Sequence, residues 1–510
     1  MKKYCLGMVM MWVIVGVWQG ARCQEMVVQI GGESRHVSPV EVVGSHYLGA
    51  VSGLECWLTN GTEDGFFSRR RAWQVMMADS NLVALQRVTV KGSERWRPLA
   101  GAVVGDSAVV LMVDSSAAER VVVHRVACHI GIDAVSTTTD KEEAEESLVE
   151  DAIVASYGSR GEDHTLVWSA TSPGGAYIGV LAVTTNDATE RYTSDLVLFD
   201  GALRRVWSHS APIGTTERLY VSDDGRMVTV GVERDGEDQR VVVNVADSRD
   251  VSTLQSALPS SDPLRSMDIL GVVGDRLVCG GLYRPADSDA DEGVIGGVVA
   301  LAYDLRAGSL VGIDIRPFEN EDMNIFLNKK TKKRQRSKEL PLIGVVGHCP
   351  TPWGGVLVVG RNYAESRTTG NGTVQRTYHA IGLHVVGVDT TGMIRWVRNV
   401  RRNDVSEEVR SDLFVGLQPM GSHTLLLKSE HAGYPTHYDI AAAAKEYECG
   451  SKCNIVVYRF DADGEVEKGI VEKKSRHTLI GVDRRGDGAL LLLSRRGAKT
   501  RMGILNHNSQ

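Results

Sequence analysis

Beyond Trp18 the chain has no apolar run long enough to cross a bilayer as a helix, which needs roughly 20 residues. It has no amphipathic helical pattern longer than two or three turns, so an all-helical fold is excluded. No Gly-x-Ser-x-Gly sequence occurs, which removes the nucleophile elbow of the α/β-hydrolases. Positive charge is not in excess either, with 57 Lys and Arg against 64 Asp and Glu, and this argues against nucleic acid as the main partner. Cysteine is sparse. Eight in 510 residues is not the framework of a disulfide-stapled mini-protein.

The one long apolar run is N-terminal. Lys2 and Lys3 precede Tyr4 to Trp18, and Ala21-Arg22-Cys23 places small residues at the −3 and −1 positions of a cut before Gln24. Residues 1–23 therefore read as a signal peptide, and the mature protein is expected outside the cytoplasm: in the periplasm, on the cell surface or secreted. A lipid anchor at Cys23 is the rival, disfavoured because Arg22 stands where a lipobox has a small residue. Cleavage removes three basic residues and no acid, leaving 54 against 64 and a net charge of −10. Cys56, Cys128, Cys279, Cys349, Cys449 and Cys453 remain. The first three lie in apolar strand-like runs and read as buried free thiols.

What the chain has is a hairpin written four times: LVLFDGALRRVW, VVALAYDLRAGSLVGI, GLHVVGVDTTGMIRWV and NIVVYRFDADGEVEKGIV. Each apolar, β-branched run ends on Asp (Asp200, Asp304, Asp389, Asp461), a Gly follows (Gly201, Gly308, Gly392, Gly464), and a second apolar run comes next. The Asp can accept hydrogen bonds from turn amides and the Gly tolerates positive φ, so each segment reads as strand–turn–strand. Around these hairpins the same order of features recurs eight times, with first strands starting near His46, Leu99, Thr165, Arg218, Met267, Leu342, Asp412 and Thr478.

Such spacing predicts an all-β fold, a β-propeller of eight four-stranded blades, with seven blades as the alternative. The last unit shows only three strands, and EMVVQI (25–30) is expected to supply its fourth and seal the ring. Residues 24–510 then read as a single propeller domain with loop insertions near 140–162, 315–340 and 429–453.

VDTTGMIRW (388–396) and LAYDLRAGSLV (301–311) resemble the repeats of pyrroloquinoline-quinone-type propellers. TPWGGVLVVGRNY resembles the Gly-Gly strand before that hairpin in secreted bacterial propellers, and SDDGRMVTVG is similar to strand starts in envelope-assembly propellers of the Tol type. The resemblance implies a propeller fold and, by analogy, a partner in the bacterial envelope. The chain departs from the quinone enzymes in having Trp at the docking position only at Trp207 and Trp396, and nothing in it matches their cofactor ring or calcium site. No cofactor is expected.

The candidate site lies in the insert SEHAGYPTHYDIAAAAKEYECGSKC (429–453). His431, His437, Cys449 and Cys453 could form a tetrahedral zinc site, although the H-x5-H-x11-C-x3-C spacing is not a usual zinc pattern. A Cys449–Cys453 disulfide is preferred, with free thiols as the further alternative, and a short helix is expected from Asp439 to Tyr447. Asp461-Ala-Asp463-Gly464-Glu465, with Glu472 at position 12, imitates a calcium loop, yet its flanks read as strands. The basic run Lys329–Lys338 and the acidic run Glu142–Glu146, continuing to Glu150 and Asp151, read as solvated connections. Ser208-His209-Ser210 implies no Ser–His pair, because strand neighbours point to opposite faces. His124, His129 and His384 read as strand histidines satisfied by neighbours.

The functional expectation is an exported, non-enzymatic binding or scaffolding propeller of the bacterial cell envelope, meeting a protein or glycan and no nucleic acid. A polysaccharide- or peptide-active enzyme with its site at the channel mouth is the alternative, and it would need several blades to converge titratable groups in one place.

Overall fold

The computed structural model describes residues between 27 and 506, apart from a number of connections, the longest of them 130–148 and 327–342. The signal segment with Cys23, the basic run 329–338 and the acidic run 142–146 lie outside the described residues.

The strands form eight antiparallel sheets of four, the sixth carrying an added two-residue strand. Seven sheets each use four strands in sequence order, with first strands His46–Val51, Arg97–Val104, Asp163–Thr171, Thr216–Val221, Leu264–Val273, Ile343–Thr351 and Val415–Met420. The eighth is composite. Thr478–Arg484, Leu490–Arg496 and Lys499–Asn506 come from the C-terminal end of the chain, and Val27–Arg35 completes the sheet as its outer strand. Val27 sits opposite Asn506 and Arg35 opposite Lys499, with a bulge between Ile30 and Glu33.

These sheets stack around a ring. The first strand of each approaches the first strand of the next, and that of the eighth returns to that of the first. The apolar side chains fall into eight clusters among the described residues, and each bridges two successive sheets. One such cluster sets Trp57 and Met76 of the first sheet against Ile480, Leu491 and Ile504 of the last. The chain is an eight-bladed β-propeller closed by its N-terminal strand.

Neighbours on both faces explain the sequence of the middle strands. Arg276–Tyr283 is buried at all but its first residue and Gly297–Asp304 at all but its last, so they read as continuous apolar runs rather than alternating ones. The outer strand Val251–Ala257 lies at the rim and is mostly exposed. Val149–Gly158 is the outer strand of the second blade, so the insertion expected near 140–162 is partly strand and Glu150 and Asp151 are rim residues rather than a loose connection. Ile153, 65% exposed in the middle of this strand, shows why periodicity did not reveal it.

The recurring hairpins are Asp-capped turns. Asp389 Oδ1 accepts from the Thr391 N–H (2.8 Å), the Thr391 hydroxyl (2.6 Å) and the Met393 N–H (3.1 Å). Asp200, Asp304 and Asp461 each take two backbone N–H groups in the same way. The N–H three residues after the Asp closes the turn on its carbonyl at Leu203, Gly392 and Gly464, and these three have φ of 57°, 83° and 77°. The third blade corrects the expectation: Gly201 is not the left-handed residue, and Leu203, fully buried, takes that conformation instead.

The turns also join blades. Gly464 lies beneath the indole of Trp396, where a Cβ would come within 2.5 Å of Trp396 Cγ. The Trp396 indole N–H donates to Ala462 O at 3.1 Å, and Arg398 Nε donates to Gly464 O at 2.7 Å.

Candidate functional site

In most blades the second and third strands are joined by a short turn, but in the seventh the chain leaves at His431 and returns at Cys453. This excursion crosses to the neighbouring blade. Tyr447–Glu448 pairs in parallel with Asp404 and Val405 of the sixth blade, and the Cys449 N–H donates to Val405 O at 2.8 Å. Between the blades it leaves a small, partly enclosed cleft of about 20 Å³, lined by Arg401, Tyr434, His437, Tyr438, Asp439 and Lys468 among others.

Next to this cleft, in contact with Lys468 and Tyr458 of its lining, lies a buried charge cluster. Lys428 and Glu430 stand two apart on the second strand and so share a face, and Lys468 comes from the outer strand opposite Tyr458. Lys428 and Glu430 are buried, at 0% and 1% exposed, and the side chain of Lys468 is 3% exposed. Lys468 Nζ sits 2.6 Å from Glu430 Oε1 and donates to Pro435 O at 2.6 Å. Tyr458 donates its hydroxyl to Glu430 Oε2 at 3.0 Å, while Lys428 Nζ is 3.8 Å from that oxygen and makes no hydrogen bond among the described residues. Both ammonium groups lie 5.9 Å from the Tyr434 ring centroid, and Lys468 is 5.4 Å from that of Tyr458. Burial lowers the pKa of Lys468, with Glu430 pulling the other way and Lys428 adding to the depression. Burial, reinforced by the Glu430 charge, lifts Tyr458 well above the usual phenol range.

The predicted site residues are dispersed around this cluster. His431 and Cys453 face one another across the strand pair, but His431 Nδ1 accepts from the Gly433 N–H at 3.0 Å and Cys453 Sγ is buried, donating to His477 O. His437 is exposed at the cleft, and Cys449 is half-buried beside the sixth blade. Cys449 and Cys453 are free thiols in this structure, as are Cys56, Cys128, Cys279 and Cys349. Among the described residues no three His, Cys, Asp or Glu side chains are grouped for a metal ion. The middle of the expected short helix, 440–445, lies outside the described residues. Glu472, the twelfth position of the calcium-like loop, pairs instead with Arg501 of the eighth blade.

A second cluster lies on the innermost strands. Arg218 of the fourth blade is ion-paired with Asp268 of the fifth, which is 2% exposed and whose Oδ2 makes no hydrogen bond among the described residues. His348 of the sixth blade is solvent-accessible, and its pKa is lowered by desolvation against the surrounding wall, with Asp268 opposing and Arg218 adding to the shift.

No protein-family model matches the chain, and no curated protein matches it. Solved structures do. The chain is similar to the Dos1 propeller, with 8% identity and a TM-score of 0.34 over 93% of this chain and 95% of that one. It is also similar to the β-propeller domain of the trilobed protease from Pyrococcus furiosus, at 13% identity and a TM-score of 0.26 over 66% of this chain and 91% of that one. Prolyl oligopeptidase B from Galerina marginata matches at 7% identity and a TM-score of 0.38, over 90% of this chain and 56% of that one. The blade count given above rests on the sheet order of this chain itself.

The cleft lies against the segment 429–453 that the sequence pointed to, while the charged side chains beside it come mostly from other positions. Lys428, Glu430 and Lys468 carried a faint signal, since Lys and Glu two apart inside HTLLLKSEH put two charges on one face of an otherwise buried strand. The third member, Lys468, is 40 residues away in the sequence, and Arg218, Asp268 and His348 come from three separate blades. Of the strand histidines singled out by sequence, His124 stacks on Trp96 and His384 Nδ1 is 2.6 Å from Asn399 Oδ1, while the side chain of His129 lies outside the described residues. His209 Nε2 is 2.8 Å from Asp247 O while Ser210 donates to Asp195, so no Ser–His pair forms there.

Proposed function

We propose that the protein is an exported, non-catalytic β-propeller that binds a protein or glycan of the bacterial cell envelope. Its contact surface is the cleft between the sixth and seventh blades. One observation carries this reading: the excursion from His431 to Cys453 is spent on tying two blades together and walling a cleft with Tyr434, His437, Tyr438 and Asp439, opposite Arg401 and Lys468. Function on such scaffolds concentrates in segments held by rigid sheets. Among the described residues no helix is long and apolar enough to cross a membrane, which leaves membrane contact to the folded surface in this reading.

The test places a photo-crosslinking residue at His437, in the cleft, or at Thr253, exposed on the outer strand of the fourth blade. In intact cells the first should give a discrete envelope adduct and the second none. Equal labelling from both, or none from either, sinks the proposal.

An enzyme acting on polysaccharide or peptide is the second reading, favoured by the convergence of Arg218, Asp268 and His348 from three blades. Hydrolysis of envelope polysaccharide that disappears on His348→Ala would establish it in place of the first.

A further inference from the structure

Two ammonium groups share one carboxylate inside the seventh blade. Glu430 is shared between them: Lys468 is ion-paired with Oε1 at 2.6 Å, while Oε2 accepts the Tyr458 hydroxyl. Lys428 is left with an oxygen at 3.8 Å, an aromatic face at 5.9 Å and no hydrogen bond among the described residues. A buried positive charge of this kind is costly unless an opposite charge comes close, because desolvation outweighs long-range attraction. The cleft immediately in front carries two further cationic or protonatable groups, Arg401 from the sixth blade and His437 from the excursion, against one exposed acid, Asp439. Around the cleft, Lys428, Lys468 and Arg401 thus outnumber Glu430 and Asp439, and Glu430 is divided between the two lysines.

We propose that this cleft holds a small oxyanion, a carboxylate or phosphate group, whose charge completes the Lys428–Glu430–Lys468 cluster. Lys468 and Arg401 line the cleft and would meet the anion directly. Lys428 sits behind Glu430 and acts through the field, and the Tyr434 and Tyr438 rings flank the rest of the ligand. The inference rests on reading the cleft as the binding surface and names the chemistry recognised there. The ligand group belongs to an envelope glycan bearing uronate or phosphate, or to a free small anion.

The test is calorimetric titration of the purified full-length protein with inorganic phosphate and, separately, with glucuronate, at ionic strength held constant with chloride. Saturable binding of either is expected, and which of them binds tells phosphate from carboxylate chemistry. Lys428→Met should weaken that binding at least tenfold while far-ultraviolet circular dichroism stays unchanged. If Lys428→Met does not fold, Arg401→Gln at the cleft mouth must show the tenfold loss. No saturable binding of either anion, or wild-type affinity in the folded variants, overturns the proposal. No partner is present in this experiment, so its failure is separable from a failure of envelope crosslinking at His437.

Discussion

Replacing Trp396 probes how one blade is fastened to the next. The indole is 5% exposed and lies parallel to Phe460 (6° between planes, centroids 5.9 Å apart), with Trp353 tilted against it. Below it sits Gly464 of the following blade, and its N–H donates to Ala462 O. Trp396→Ala empties this site and should cost about 3–5 kcal/mol, the range for large aromatic truncations in cores. Trp396→Phe keeps most of the apolar contact but orphans the Ala462 carbonyl, so about 1 kcal/mol is expected. Gly464→Ala adds a Cβ at a φ of 77°, against the indole, and should cost about 1–3 kcal/mol from strain and clash together. The two effects must couple, since removing the indole frees the space: Gly464→Ala should be milder by about 1 kcal/mol or more in the Trp396→Ala background. Urea denaturation of the four chains gives the cycle, with hydrogen exchange on the sixth and seventh blades to detect local opening where unfolding is not two-state. A Trp396→Ala cost under about 1 kcal/mol, or a Gly464→Ala cost equal in both backgrounds, refutes the fastening role.

Three other outcomes follow from the same geometry. A chain starting after Arg35 lacks the outer strand of the eighth blade and exposes the edge of Lys499–Asn506. Its melting temperature should fall by several degrees and it should aggregate on heating; an unchanged melting curve contradicts closure. Burial opposes the charge of Asp389, but hydrogen bonds from Thr391, Met393 and Arg395 prevail and hold its carboxyl below the usual range, near 3.9 for a free Asp. That contribution is complete above the unfolded value and lost as pH falls through the folded one. The stability gap between wild type and Asp389→Asn, about 1–2 kcal/mol at pH 7, should therefore stay constant down to about pH 5 and close below about pH 4; a gap that widens in acid has the wrong sign. Leu203→Gly relieves a left-handed backbone, worth about 1–2 kcal/mol, but empties a fully buried position worth more. Net destabilisation is expected by urea titration, and a stabilised variant shows that the strain dominates.

Blade architecture was legible because a propeller repeats its local chemistry. Asp-capped turns recur in phase, and the eight first strands begin within three residues of where the turn pattern put them. The strand Val27–Arg35 was legible by elimination, since the last unit lacked a partner. Val149–Gly158 was not, because a rim strand faces water along much of its length and loses the apolar signal that marks the middle strands. The candidate sites were opaque for a different reason. Lys428 meets Lys468 only through the register of three strands, and Asp268 meets Arg218 only through the stacking of two blades. Linear spacing encodes neither distance.

The pairing of Val27 with Asn506 sets how the molecule responds to tension. The two strands run antiparallel, so both chain ends leave the ring at the same corner of one sheet. A pull on the ends loads one rung of the ladder at a time and peels Val27–Arg35 away, rather than shearing all its rungs together. Such a clasp opens at low force. A tether through either end alone leaves the ring shut, whereas opposed tethers on both ends would unlock the eighth blade before any other.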